Sequence, residues 1–172
     1  TITYTEKAAK ELKLRLHEKI GQEVHPMFVG TFHSFCYKLM KDYQINNADS
    51  CSLIDQSEAV HMILENYDDF MPFMSEEFSI NPKISVVESF IPFFNRLRDE
   101  LVNMDKVDQS ILKEFYEDDV ESLNQLNDLL RIFPIYQNLK KENNLIDYND
   151  MVMDTFHALK NNTRLLEKVQ LK

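Results

Sequence analysis

Two short stretches carry the side chains best suited to chemistry. Thr3-Tyr4-Thr5 and Thr31-Phe32-His33-Ser34 each place hydroxyl groups beside an aromatic ring, directly ahead of a helical apolar pattern. A helix N-terminus presents unpaired backbone N–H groups and a partial positive charge, so it receives phosphate readily. Hydroxyls add donors for phosphate oxygens, and a ring offers a face on which a base can stack. The combination suits a single-stranded nucleic-acid track. The same residues also fit a plainer arrangement, in which Thr5 and Thr31 only cap their helices while Tyr4 and Phe32 belong to the core.

Other reactive residue types are scattered. The phosphate-cradling pattern G-x-x-x-x-G-K-[ST] is absent, and Gly21 and Gly30 are the only two glycines, too few for a glycine-rich loop. The chain by itself is therefore expected to hold no nucleotide. His17, His25, His33, His61 and His157 stand apart, with no H-E-x-x-H, so no metal site is expected. The run Glu117, Asp118, Asp119, Glu121 reads as a solvated helix start, favoured by the helix dipole, rather than as paired catalytic carboxylates. Cys36 and Cys51, outside any C-x-x-C, read as reduced thiols.

The elements that must position the two stretches are also visible. Ile2 to Thr5 alternates as a strand does, and Thr5 then caps a helix with Ala9, Leu12, Leu16 and Ile20 at helical spacing, stopped by Gly21. Met27 to Gly30 is a second strand signal, and Thr31 caps a helix carrying Phe35, Cys36, Leu39, Met40 and Tyr43. Two strand-to-helix steps suggest part of an α/β core. Beyond residue 46 helical patterns dominate. Asp55 with Glu58 forms a capping box ahead of Val60, Ile63 and Tyr67. Ser85 heads a run through Val86, Val87, Phe90, Ile91, Phe94, Leu97 and Leu101, which Pro92 should kink or split. Further helices are expected at 108–117, at 119–140 with a kink at Pro134, and from Asp147 onward. The segment Phe70 to Lys83, with Pro72 and Pro82, reads as loop.

Composition narrows the class. Of 172 residues 44% are apolar, enough for one core, and a glycine count of two, against roughly a dozen at average usage, argues against sandwiches, barrels or a complete nucleotide-binding domain. The fold is expected to be mainly α. The formal net charge is −10, yet residues 1–43 hold seven Lys and Arg against five Asp and Glu, net +2. Overall charge opposes nucleic-acid binding, and any phosphate contact must lie in this N-terminal part. No run of 18 apolar residues is present, so a cytoplasmic protein without membrane contact is expected. A start without Met inside a strand, and a stop at Lys172 inside a helical pattern, suggest a piece of a longer protein.

Four segments, in order, resemble one family. Thr3-Tyr4-Thr5-Glu6-Lys7-Ala8-Ala9-Lys10-Glu11-Leu12 is similar to motif Ia (TFTNKAA-x-E-M) of the UvrD/Rep/PcrA-type superfamily 1 DNA helicases, and Gly30-Thr31-Phe32-His33-Ser34-Phe35 to that family's TFHSF motif. Asn95-Arg96-Leu97-Arg98-Asp99-Glu100-Leu101 resembles the family's x-R-x-K-N-E-L helix. Tyr136-Gln137 through Leu145-Ile146-Asp147-Tyr148-Asn149-Asp150-Met151 resembles its YQ…N-x-L-D-F-D-D-L pattern. The resemblance implies a fragment between the Walker A and Walker B motifs of a 3′-to-5′ DNA translocase and helicase. Residues 1–43 would be part of the first RecA-like domain, 1A, residues 44–142 a multi-helix insertion subdomain, 1B, and residues 143–172 the return into 1A. One or two short strands would be left from the RecA-like α/β core.

The same resemblance implies the roles. The parent would use ATP and Mg2+, held between two RecA-like domains, whereas the fragment would hold no cofactor and no catalytic residue. Its partners would be single-stranded DNA, the junction of single strand and duplex, and the second RecA-like domain. Thr3, Tyr4, Thr5 and Lys7 would form one DNA contact, and Thr31, Phe32, His33 and Ser34 the second. Asp147 and Asp150 would cap and position helices. Glu6 departs from the usual Asn and leans toward RecB/AddA-type helicase-nucleases. A different class remains open: an acidic helical module that binds proteins through exposed aromatics such as Phe90, Phe93 and Phe94.

Overall fold

A computed structural model describes residues 1–24, 27–75 and 84–170. Two strands and two helices open the chain: β1 (Ile2–Thr3), α1 (Glu6–Ile20), β2 (Gly30–Thr31) and α2 (Phe32–Asp42). Thr5 caps α1 by accepting from the Ala8 N–H, and Gly21 ends it at φ +62°, a conformation that strains a residue with a Cβ. Thr31 caps α2 in the same way, accepting from the Ser34 N–H at 3.2 Å. The second strand starts later than Met27: the register Ile2↔Gly30 and Thr3↔Thr31 leaves Val29 opposite the first residue, where the partner strand runs out.

The middle of the chain is helical. It comprises β3 (Ser52–Leu53), α3 (Gln56–Glu65), α4 (Tyr67–Phe70), α5 (Ile84–Asp99), α6 (Gln109–Phe115), α7 (Val120–Glu142) and β4 (Leu145–Ile146), followed by α8 (Tyr148–Asn161) and α9 (Thr163–Gln170). The Asp55–Glu58 capping box closes in both directions, at 2.9 and 2.8 Å. Neither inner proline splits its helix. Pro92 and Glu88, whose carbonyl loses its partner, are both exposed, so water can satisfy what the proline removes. The expected loop after residue 70 begins differently, because Phe70 is a fully buried helix end and Met71–Phe73 continue as a 3₁₀ turn with Pro72 in its first turn. Pro82 and Lys83 lie outside the described residues. The pair β3 and β4 escaped the sequence reading, since two residues per strand leave no period to detect.

Contacts divide the chain into two compact units, residues 1–51 with 150–172, and residues 52–149. The second unit carries an extensive core, with Ile63, Phe70, Val87, Phe90, Ile91, Phe94, Ile132 and Tyr136 buried together. The Phe94 ring stacks on Tyr136 at 5.1 Å between centroids and meets Phe133 at 5.3 Å. Phe90 and Phe94 are thus interior, and Phe93 is half-buried against them. Phe90 and Phe94 offer no surface to a protein partner, because the face they share with Val87 and Ile91 packs into the core formed with α3 and α7. The first unit is held by smaller contacts, among them Cys36, Leu39, Met40, Met151 and Leu165, and by a Thr155 hydroxyl donating to the Cys36 carbonyl at 3.3 Å. Both cysteines are free thiols, and burial pushes that of Cys36 above its usual pKa. Among the described residues no helix is long and apolar enough to cross a membrane.

Candidate nucleic-acid interface

Strands β1 and β2 pair in parallel. Their carboxyl ends therefore point the same way, and the N-termini of α1 and α2 emerge side by side on one edge of the small sheet. Open α/β sheets bind ligands at this edge. The two candidate stretches, 28 residues apart in register, become neighbours through this pairing alone. Thr3 sits directly across from Thr31.

Three of the hydroxyls face inward. Thr3 Oγ1 donates to the Thr5 carbonyl at 3.0 Å. Thr31 is buried, and its hydroxyl donates to Glu6 Oε1 at 3.0 Å while accepting from the Ser34 N–H. Ser34 Oγ donates back to the Thr31 carbonyl at 2.9 Å. These bonds, with the Thr5 cap, set the shape of the two turns. The rings face outward: Tyr4 is 99% exposed and Phe32 49% exposed. Lys7 and His33 are exposed beside them. The core alternative for the two rings is thus overturned, whereas the capping role of Thr5 and Thr31 is real. Of the eight candidate residues, Tyr4, Lys7, Phe32 and His33 turn their side chains to solvent, joined by Thr5 at the cap, and Thr3, Thr31 and Ser34 hold the backbone that carries them.

Glu6 is the residue that sequence reasoning passed over as a mere departure from a pattern. Its carboxylate accepts from Thr31 and ties the first turn to the second. Gly30 has a similar office. A Cβ there would lie 2.6 Å from Ser34 Oγ and 2.7 Å from Phe28 Cζ, so the absent side chain makes room for the protein's own packing. Gly30 thus serves packing and Gly21 ends a helix, so neither glycine forms part of a phosphate cradle. Electrostatics favour this unit as well: residues 1–51 and 150–172 hold eleven Lys and Arg against nine Asp and Glu, net +2, while residues 52–149 carry −12.

The other motif residues meet elsewhere, inside the second unit. Arg98 on α5 donates to both carboxylate oxygens of Asp147 at 3.0 Å each, and Lys140 on α7 donates to Oδ2 at 2.6 Å. The Tyr136 hydroxyl adds a fourth bond at 2.9 Å, and the Lys140 ammonium also lies over the Tyr136 ring at 4.6 Å. All four residues are buried. Burial alone would raise the pKa of Asp147, but the Lys140 ammonium and the Arg98 guanidinium outweigh it and hold the carboxyl well below the usual carboxylate range. The cluster binds α5, α7 and the segment after β4 into one body. Asp147 thus serves to hold these elements together. Asp150 lies in the first turn of α8, half-buried.

Comparison with known proteins shows the family to which the chain belongs. The family described as UvrD/REP helicase N-terminal domain matches residues 1–172. An ATP-dependent DNA helicase PcrA of Staphylococcus epidermidis is 24% identical over 173 residues, covering 99% of this chain and 21% of the relative. A probable DNA helicase II homolog of Mycoplasma pneumoniae is 27% identical over 172 residues, covering 97% of this chain and 22% of the relative. The ATP-dependent DNA helicase SRS2 of Saccharomyces cerevisiae is 26% identical over 181 residues, covering 91% of this chain and 14% of the relative. The chain spans about a fifth of the length of the first two of these relatives.

Proposed function

Because the chain belongs to the UvrD/REP helicase family, we propose that it is the DNA-facing part of an ATP-dependent 3′-to-5′ DNA helicase. On this reading the helical unit around residues 52–149 is the insertion subdomain 1B, and the N- and C-terminal segments are parts of the first RecA-like domain, 1A. One observation carries the proposal: the parallel register of β1 and β2 sets two helix N-termini on one edge, with the rings of Tyr4 and Phe32 exposed there. Single-stranded DNA crosses this edge. Tyr4 stacks on a base, Lys7 neutralises a phosphate, and Phe32 and His33 make the second contact. Thr3, Thr5, Thr31 and Ser34 act by holding the two turns in place. ATP and Mg2+ bind elsewhere in the full-length protein, next to the second RecA-like domain.

The test is ATP hydrolysis by the full-length protein with and without single-stranded DNA. The expected result is turnover that rises when DNA is added, with the Tyr4→Ala variant needing more DNA for the same stimulation. Absence of turnover in both conditions overturns the helicase reading. A Tyr4→Ala variant with unchanged DNA dependence overturns the placement of the track.

A further inference from the structure

Residues 99–121 contain nine Asp and Glu against two Lys, net −7, in 23 residues of a chain whose total is −10. None of the 23 is buried. They nevertheless include Leu101, Val102, Ile111, Phe115 and Val120, all exposed, with Phe115 at 80% and Ile111 at 61%. Ile111 and Phe115 are four apart on α6 and share one face of it. The Phe115 and Tyr116 rings meet edge to face at 5.1 Å, and the Asp119 N–H closes the following turn onto the Tyr116 carbonyl at 3.0 Å, which brings Val120 to the start of α7. Asp108, Glu114, Glu117, Asp118, Asp119 and Glu121 surround this apolar corner in the sequence. A helix of seven residues is too short to be stable through its own hydrogen bonds and is normally secured by packing an apolar face. Among the described residues nothing covers that face.

The chemistry of the cover follows from the charge. Nucleic acid and anionic lipid would be repelled by −7, whereas a peptide with apolar anchors flanked by Lys or Arg would satisfy both the ring and the carboxylates. We propose that α6 and its flanking turns dock a basic amphipathic segment of a partner protein, apolar side chains on Ile111 and Phe115, cations on the carboxylates around them. An aromatic anchor surrounded by charge is a common centre for such recognition, and an amphipathic helix laid on an apolar face is one of its recurring forms. This inference stands apart from the nucleic-acid track, which lies in the other unit, and does not depend on it.

The test uses the full chain and three fluorescein-labelled peptides of equal length: an amphipathic Leu/Lys helix, an amphipathic Leu/Glu helix, and a Lys/Ser peptide without an apolar face. Fluorescence anisotropy is expected to show saturable binding of the Leu/Lys peptide alone, weakened by added salt. The double variant Ile111→Ser/Phe115→Ser, with unchanged far-ultraviolet circular dichroism, is expected to weaken it at least tenfold. Should that variant lose α6, the pair Glu114→Lys/Glu117→Lys, which keeps the apolar face, is expected to weaken the same peptide and spare the same fold. Equal binding of the Lys/Ser peptide, or binding untouched by both variants, overturns the proposal. Phe115-dependent dimers of the chain alone in sedimentation equilibrium would assign the face to a second copy and overturn it as well.

Discussion

Replacing Asp147 by Asn should be among the costliest single changes in the second unit. The carboxylate receives two bonds from Arg98, one from Lys140 and one from Tyr136, and all of these groups are buried. The amide keeps the shape but cancels the negative charge, and it turns two N–H donors toward a guanidinium and an ammonium that have only donors to offer. Removing one partner of a buried ion pair leaves uncompensated charge and costs about 3–5 kcal/mol. For a chain of this size that corresponds to a fall of roughly 6–20 °C in Tm, at about 2–4 °C per kcal/mol. Urea unfolding followed by circular dichroism, with calorimetry beside it, measures the difference. The pH dependence supplies an independent check. The folded pKa of Asp147 lies below its unfolded value of about 3.9, so its contribution is fully present above about pH 5 and is lost as pH falls below that value. The gap between wild type and Asp147→Asn should therefore narrow in acid. A loss under about 1 kcal/mol at pH 7, or a gap that widens on acidification, would refute the view that the carboxylate holds α5 and α7 together.

The remaining expectations concern single side chains. Tyr4→Ala should weaken single-strand binding of the full-length protein by about 1–3 kcal/mol in a fluorescence titration and leave the melting curve unmoved, because the ring touches solvent on nearly every side. Phe94→Ala removes the ring stacked on Tyr136 and should cost about 3–5 kcal/mol in urea unfolding, whereas an unaltered midpoint would mean that the ring is not in the core. Gly30→Ala must push aside Ser34 or Phe28, and a melting temperature at or above that of wild type would contradict the packing described at that site. Thr31→Val deletes both the α2 cap and the bond to Glu6, with an expected cost of about 1–2 kcal/mol, and Glu6→Gln, which retains an acceptor, should cost clearly less. Equal losses for the two variants would show that the tie needs the carboxylate's charge and that an uncharged acceptor does not suffice.

Much of this protein is readable along the chain because it rests on local chemistry. Thr5, Thr31 and Asp55 accept from N–H groups three residues ahead, Gly21 stops a helix at an angle that suits glycine, and the apolar spacing from Val87 to Leu97 marks a buried face. Each of those interactions spans a turn or two of helix, so residue type and spacing decide it. What distant residues do to one another was beyond that reach. The parallel pairing of two-residue strands, which puts Thr3 beside Thr31, is set by backbone bonds across 28 positions and leaves no period in the sequence. The same holds for the Glu6–Thr31 tie and for Asp147, which a motif marked and whose burial among Arg98, Tyr136 and Lys140 only packing could reveal. Exposure was decided last of all. Helical spacing alone could not say that Phe94 would be enclosed and Phe115 left in water, because that depends on which neighbouring helix arrives to cover each face.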